Sequence, residues 1–305
     1  METTPIKKLV LPTVTSTVVE NTPTYPAKNS QTPETAIPSP RFPQSSCQPQ
    51  ICIYDVSFPL QRPIAPIGNL KVEASYRYGS TQNGQREVHH GVDIINKAGV
   101  PVLAAADGIV VFAGSDDQQS FATKRNFYGK LVILKHKIPG LEEPIYTLYG
   151  HLLKILVASG SSVQVGEQIG EVGLGGVAAG THLHFEVRYG KNEYDATRNP
   201  ELWFPPLLPS NGVLAGNFFD IQHKTLSVTN FLVEPLNDAE TTVPKYYFST
   251  YEDAAMLNLP PWNESFGIND LPAGKYHLTL IYHRPIQIEF EIQPSKLTYL
   301  NIQVR

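Results

Sequence analysis

Three short histidine motifs lie in the middle of this 305-residue chain: HHGVD at 89–93, YGH ending at His151, and HLH at 182–184. In an extended strand, residues two apart project to the same face. His182 and His184 therefore point together, while Leu183 and Phe185 turn into the core on the other side. Two imidazoles on one face can bind one metal, or one can bind it while the other handles a proton. If 89–93 is extended, the same parity puts His89 and Asp93 on one face and His90 on the other. A His, Asp and His set offers zinc three neutral or anionic donors. The fourth tetrahedral position is left for water, as in a catalytic rather than a structural site. A lone HxH is more often ordinary sheet surface; a His/Asp motif and a further histidine in the same β-rich stretch weigh against that.

The elements that must position these residues read as strands. From about 51 to 206, runs such as VEASYRYG, GVDII, PVLAAADGIVVFAG, LVILKH, PIYTLYGHL and HLHFEVRYG alternate with glycine turns, and few windows carry helical periodicity. The prolines of NPELWFPPLLP then interrupt regular structure and mark a boundary. Residues 212–305 are again strand-like, and in LPAGKYHLTLIY a turn feeds a strand with Tyr276, Leu278 and Leu280 on one face. Residues 1–50 are rich in Pro, Thr, Ser and Asn and hold few large apolar side chains, the composition of a disordered stalk or linker. The expected architecture is all-β: a linker over 1–50, an antiparallel domain over 51–206, and a smaller β-sandwich over 212–305.

Bulk properties exclude several functions. A net charge of -4, from 24 basic and 28 acidic residues, gives no electrostatic reason to bind nucleic acid or an anionic membrane. No stretch approaches the ~20 apolar residues that span a bilayer, and the segment after Lys7 and Lys8 makes a poor export signal. The two cysteines, Cys47 and Cys52, rule out a four-cysteine zinc site; they can close a small disulfide loop around Pro49.

Residues 56–205 resemble the lysostaphin and LytM type of zinc endopeptidases, which act on peptidoglycan. HHGVD matches the family's HxGxD motif, GVPVLAAADGIVVFAG its GTPV-type strand pair, YGHL its YxHL element, VQVGEQIGEVG the following turn and strand, and THLHFEVR its closing HxH strand. The resemblance implies one Zn2+ per chain held by His89, Asp93 and His184, with His151 and His182 as catalytic histidines beside a bound water. It implies hydrolysis of peptidoglycan stem peptides or cross-bridges without a covalent intermediate. The location implied is extracellular, at the cell surface or periplasmic, which also suits a disulfide.

Thr181 stands where many members carry proline, which bears on loop conformation and substrate fit and leaves the ligands intact. The insertion SDDQQSFATKRNFYG at 115–129 reads as a loop, either a groove wall or plain surface. His136 reads as a donor near the site or a structural histidine, and His223, His277 and His283 as surface or packing residues. Tyr76 and Tyr78 border the groove or pack within strands. The C-terminal segment resembles transthyretin-like sandwiches appended to some secreted peptidases. Two other readings compete. Relatives that have lost zinc ligands serve as non-hydrolytic regulators of wall hydrolases, yet no ligand is substituted here. GVPVLAAADGIV and SSVQVGEQIGEVG also resemble the halves of a biotinyl or lipoyl carrier, but no lysine follows Gly173 until Lys191.

Overall fold

Alternating β-branched and aromatic residues between glycine turns give strands throughout, and no α-helix occurs among the described residues. The structure, a computed structural model, describes residues 44–228, 230–236, 245–253, 256–258 and 262–304. Most of the expected linker, residues 1–43, lies outside them.

A nine-stranded antiparallel sheet carries all three histidine motifs. Its main path runs Thr197–Arg198, His182–Tyr189, Ile145–Ile155, Lys130–His136, Gly108–Ser115 and Ser162–Val163. Val92–Ile95 pairs with His182–Tyr189, and Gln168–Val172 joins Pro101–Leu103 to Ile145–Ile155. Val92, Ile94, Leu183, Phe185 and Val187 face the core and are buried, as strict alternation requires.

The C-terminal segment forms two sheets that share one apolar core. One is antiparallel, ordered Tyr246–Phe248, Phe231–Pro235, Gly274–Tyr282 and Arg284–Ile292. It buries Tyr276, Leu278 and Leu280 against Leu214, Phe218 and Leu300 of the other. This is a sandwich, and its kinship to transthyretin rests on the sequence resemblance alone. The second sheet is mixed, because Asn211–Phe219 runs parallel to Lys296–Gln303.

That mixed sheet also recruits residues the sequence placed elsewhere. Its order is Gln44–Cys47, Ile51–Asp55, Lys296–Gln303, Asn211–Phe219, Phe266–Pro272. The expected linker thus ends before Gln44, and Ile51–Asp55 pairs with the last strand rather than with the peptidase-like sheet. The physical reason is that the last strand would otherwise present an unpaired edge of N–H and C=O groups. Cys47 and Cys52 face each other across the hairpin and are joined in a disulfide.

The proline-rich 199–206 stretch is a packed seam rather than a plain linker. Trp203 and Phe204 are buried in a core that continues through Val213, Trp262, Leu297 and Tyr299. Asn269 donates to the carbonyls of Glu201 and Phe204 at 2.9 and 2.7 Å. The Arg62 guanidinium lies 4.4 Å from the Phe204 ring and pairs with Asp270 at 2.7 Å. The two expected domains therefore share buried surface.

Candidate functional site

The central strand His182–Tyr189 brings the motifs together. His184 pairs in register with Asp93 on one side and Gly150 on the other, so HHGVD and YGH flank HLH. A Cβ on Gly150 would press at 3.0 Å on the Tyr128 ring. Just beyond, the register between Lys130–His136 and Ile145–Ile155 slips, and His151 takes the left-handed conformation at φ 60°. A bulge re-aims a side chain, and a non-glycine residue persists at positive φ only where its surroundings hold it there. Here the His151 backbone N–H donates to the Tyr128 carbonyl at 2.9 Å. On the other flank the strand begins only at Val92. His89 therefore reaches Asp93 through a bend rather than by strand alternation. A Cβ on Gly91 in that bend would sit 2.5 Å from the Phe185 carbonyl oxygen.

Three donor atoms converge. His89 Nε2, Asp93 Oδ1 and His184 Nδ1 are separated by 3.2, 3.0 and 3.2 Å. A tetrahedral zinc with ~2.0–2.1 Å bonds would separate its ligand atoms by roughly 3.3 Å, so the set fits such an ion. The second nitrogens are engaged as well. His89 Nδ1 lies 2.7 Å from the Tyr76 carbonyl oxygen, and His184 Nε2 lies 3.1 Å from Glu186 Oε1. Each neighbour is an acceptor, so the proton sits on that nitrogen and the other keeps its lone pair for a metal.

His182 and His151 follow the same logic. His182 Nδ1 is 2.7 Å from the Gly180 carbonyl oxygen, and His151 Nδ1 is 2.8 Å from that of Gly175. Both therefore offer Nε2, and their rings lie 4.8 Å apart. All five side chains are buried.

Electrostatics favour a cation between the carboxylates. Burial opposes charge on His184, yet contacts with Asp93 and Glu186 outweigh it and push its pKa up to about 9. Burial also opposes the Asp93 carboxylate, but His89 and His184 hold it well below the usual range. Burial and the neighbouring His184 and His182 bring His151 down to about 3, and burial lowers His182 against the pull of Asp93. The pair is thus neutral beside a centre that prefers positive charge.

Glu186 was not singled out from the sequence, although period-two alternation in HLHFEVR places it on the face of His182 and His184. It is fully buried, receives the Tyr128 hydroxyl, and accepts from Arg188 Nε at 2.7 Å. Arg188, also fully buried, continues to the Phe121 carbonyl and Asn192. Burial works against its charge, but Arg188 and His184 hold Glu186 ionised, its pKa brought down to about 2.

The five residues open into a cleft of about 350 Å³. Tyr76 lines it and stacks on His89, the rings 4.1 Å apart and nearly parallel. Tyr78, by contrast, is buried in the seam, its hydroxyl on the Thr197 carbonyl. The insertion supplies Lys124 and Phe127 to the cleft, so it is a groove wall. Its base is pinned by Asp116, fully buried, whose carboxylate accepts from the backbone N–H groups of Phe127, Tyr128 and Gly129 at 2.9, 2.8 and 3.0 Å. Asp116→Ala leaves three donors without that acceptor and is expected to cost about 2–3 kcal/mol, read as a lower urea midpoint.

The other histidines lie apart from the cluster. His90 turns away to the Tyr194 carbonyl and Thr197 hydroxyl at 3.1 and 3.0 Å. His136 is structural, between the Asp107 carbonyl and Thr147. His277 pairs with Glu289 in the sandwich, and His283 turns the hairpin between Gly274–Tyr282 and Arg284–Ile292. Thr181 gives its carbonyl to the Asn96 N–H at 3.4 Å.

A β-sheet presenting a converged His/Asp/His set with two further neutral imidazoles has the makings of a metal-dependent hydrolytic centre. Residues 87–196 match the family model described as Peptidase family M23. Over 101 residues the chain is 41% identical to the Lipoprotein NlpD/LppB homolog of Pseudomonas aeruginosa, covering 33% of this chain and 29% of that protein. It is 39% identical over 101 residues to the DD-carboxypeptidase/endopeptidase Mpg of Neisseria meningitidis serogroup B, covering 33% and 20%. It is 32% identical over 112 residues to the Murein hydrolase activator NlpD of Escherichia coli, covering 37% and 25%. The chain thus spans under a third of the length of these curated relatives. Among solved structures, the lysostaphin catalytic domain from Staphylococcus simulans is similar at 28% identity and a TM-score of 0.35, covering 43% of this chain and 88% of that one.

Proposed function

We propose that the protein is a zinc-dependent endopeptidase that hydrolyses peptide cross-links of bacterial peptidoglycan in the cell envelope. The observation that carries this reading is the set of three donor atoms 3.0–3.2 Å apart beside two imidazoles whose Nε2 lone pairs are free. His89, Asp93 and His184 would hold the metal, and His151 and His182 would act on protons. Bound there, zinc supplies Lewis acidity that polarises a peptide carbonyl and acidifies water towards a pKa of ~7.

The chain's own residues do the rest. His182 Nε2, 3.4 Å from Asp93 Oδ1, accepts the proton of the attacking water. The imidazolium so formed is then a donor for the leaving amine. His151, neutral with its Nδ1 proton held by the Gly175 carbonyl, accepts a hydrogen bond from water or substrate through Nε2. Tyr76 and Phe127 flank the peptide, and the buried setting strengthens each of these contacts. The envelope location is supported by the disulfide and by lipoprotein relatives.

A regulatory reading is favoured by one relative's name, a murein hydrolase activator. The test separates the two. Wild-type protein is expected to bind one zinc and release muropeptides from purified wall, while His182→Ala keeps the metal and loses ~10²–10⁴-fold in rate. Wild type and His182→Ala equally inert on every wall type would support the regulator instead.

A further inference from the structure

A second cavity, about 390 Å³, lies where the 74–85 segment meets the C-terminal sandwich. Its volume falls within the ~300–1,000 Å³ of small-ligand sites. The two charged side chains in its lining each have partners among the described residues. Arg77 pairs with Glu201, and Glu252 accepts the Thr81 N–H at 2.9 Å and the Thr81 hydroxyl. Beside them stand neutral groups: the amides of Asn83, Gln85 and Asn230, whose side chains make no hydrogen bond among the described residues, and the ring of Tyr247. Tyr247 is 70% exposed, because alternation in the edge strand Tyr246–Phe248 turns it away from the core that receives its two neighbours.

An exposed aromatic face among uncharged amides suits a neutral polyhydroxyl ligand. The ring covers the C–H face of a sugar, and the amides both donate to and accept from hydroxyl and acetamido groups. An anionic peptide would find no free cation there, since Arg77 is paired with Glu201. The placement matters equally. Ser75 and Arg77 line this cavity while Tyr76 between them lines the metal cleft, so the turn at 74–76 is the ridge separating the two.

We propose that this cavity binds the amino-sugar glycan strand from which the cleaved peptides branch, holding the polymer astride the ridge. The choice of glycan rests on the proposed peptidoglycan substrate, but binding can be measured without cleavage. The test uses the full chain and the N-acetylglucosamine tetramer as probe, followed by NMR or calorimetry. Wild type is expected to bind with shifts at Tyr247, Asn83 and Gln85, and Tyr247→Ala or Asn83→Ala to weaken binding at least tenfold. Both side chains border solvent, so zinc content and cleavage of glycan-free cross-linked muropeptides are expected to stay within twofold of wild type, while digestion of intact wall slows. No tetramer binding at millimolar concentration, binding indifferent to Tyr247→Ala, or shifts confined to the metal cleft would each overturn the proposal. Tetramer binding by a protein that cleaves nothing would leave this site standing and remove the peptidase reading alone.

Discussion

His184→Ala is expected to strip the protein of its metal and with it all wall hydrolysis. Two donors, His89 Nε2 and Asp93 Oδ1, would remain where three converge. An outer-shell change costs ~10–100-fold in metal affinity, and the loss of a direct ligand exceeds that. The fold should survive, because Glu186 keeps Arg188 and Tyr128 as partners after the imidazole is gone. The measurement is zinc per chain after dialysis against a chelator, beside His182→Ala. Stoichiometric zinc retained by His184→Ala would refute the ligand assignment.

Glu186→Ala should have the largest effect on stability. It touches two systems at once: the orientation of His184, through the 3.1 Å contact to Nε2, and the fully buried guanidinium of Arg188. Removing one member of a buried pair leaves the other charge uncompensated, at about 3–5 kcal/mol. Freed from its acceptor, the His184 ring can also exchange tautomer or rotate, for a ~10–100-fold loss in zinc affinity. Glu186→Gln keeps an acceptor without the charge and should fall between. Urea unfolding of the metal-free proteins isolates the first effect, and chelator competition on the metal-loaded ones the second. A Glu186→Ala variant as stable as wild type would mean that Arg188 finds another counter-charge.

How legible the site was follows from where each signal lies. His182 and His184 were readable because strand alternation is local and HLH lies wholly within one strand. His89 and Asp93 come together at 3.2 Å, though through a bend at Gly91 that parity does not describe. Glu186 lies within reach of the same alternation, but its role is to hold His184 and Arg188 from within the core, which no local pattern marks. Tyr76 and Asp116 carry no such local mark. One acts by stacking on a ring 13 residues away and the other by closing a loop 13 residues long. The all-β class was legible from composition and turns. The pairing of Ile51–Asp55 with Lys296–Gln303 was not, since a contact so distant in sequence leaves no trace in either segment.

That pairing makes the segment with the histidine cluster a guest in a host sheet. The chain leaves the host at Asp55, opposite Lys296, and re-enters at Asn211–Phe219, where Val213 lies opposite Leu297. The exit and entry points therefore sit at the same end of the sheet with one strand between them, roughly 9–10 Å apart at the usual strand spacing. A bridge of a few residues could span that gap. The sandwich is in this sense a closed scaffold onto which the metal-site segment has been spliced by two adjacent stems. Lifting it out would bare Trp262 and Tyr299, which the guest's Trp203 and Phe204 now help to cover. Conversely, a fragment begun at residue 56 or ended at 206 severs one stem from the scaffold. Cutting the polypeptide at the nominal domain boundary is thus not the same as separating the domains.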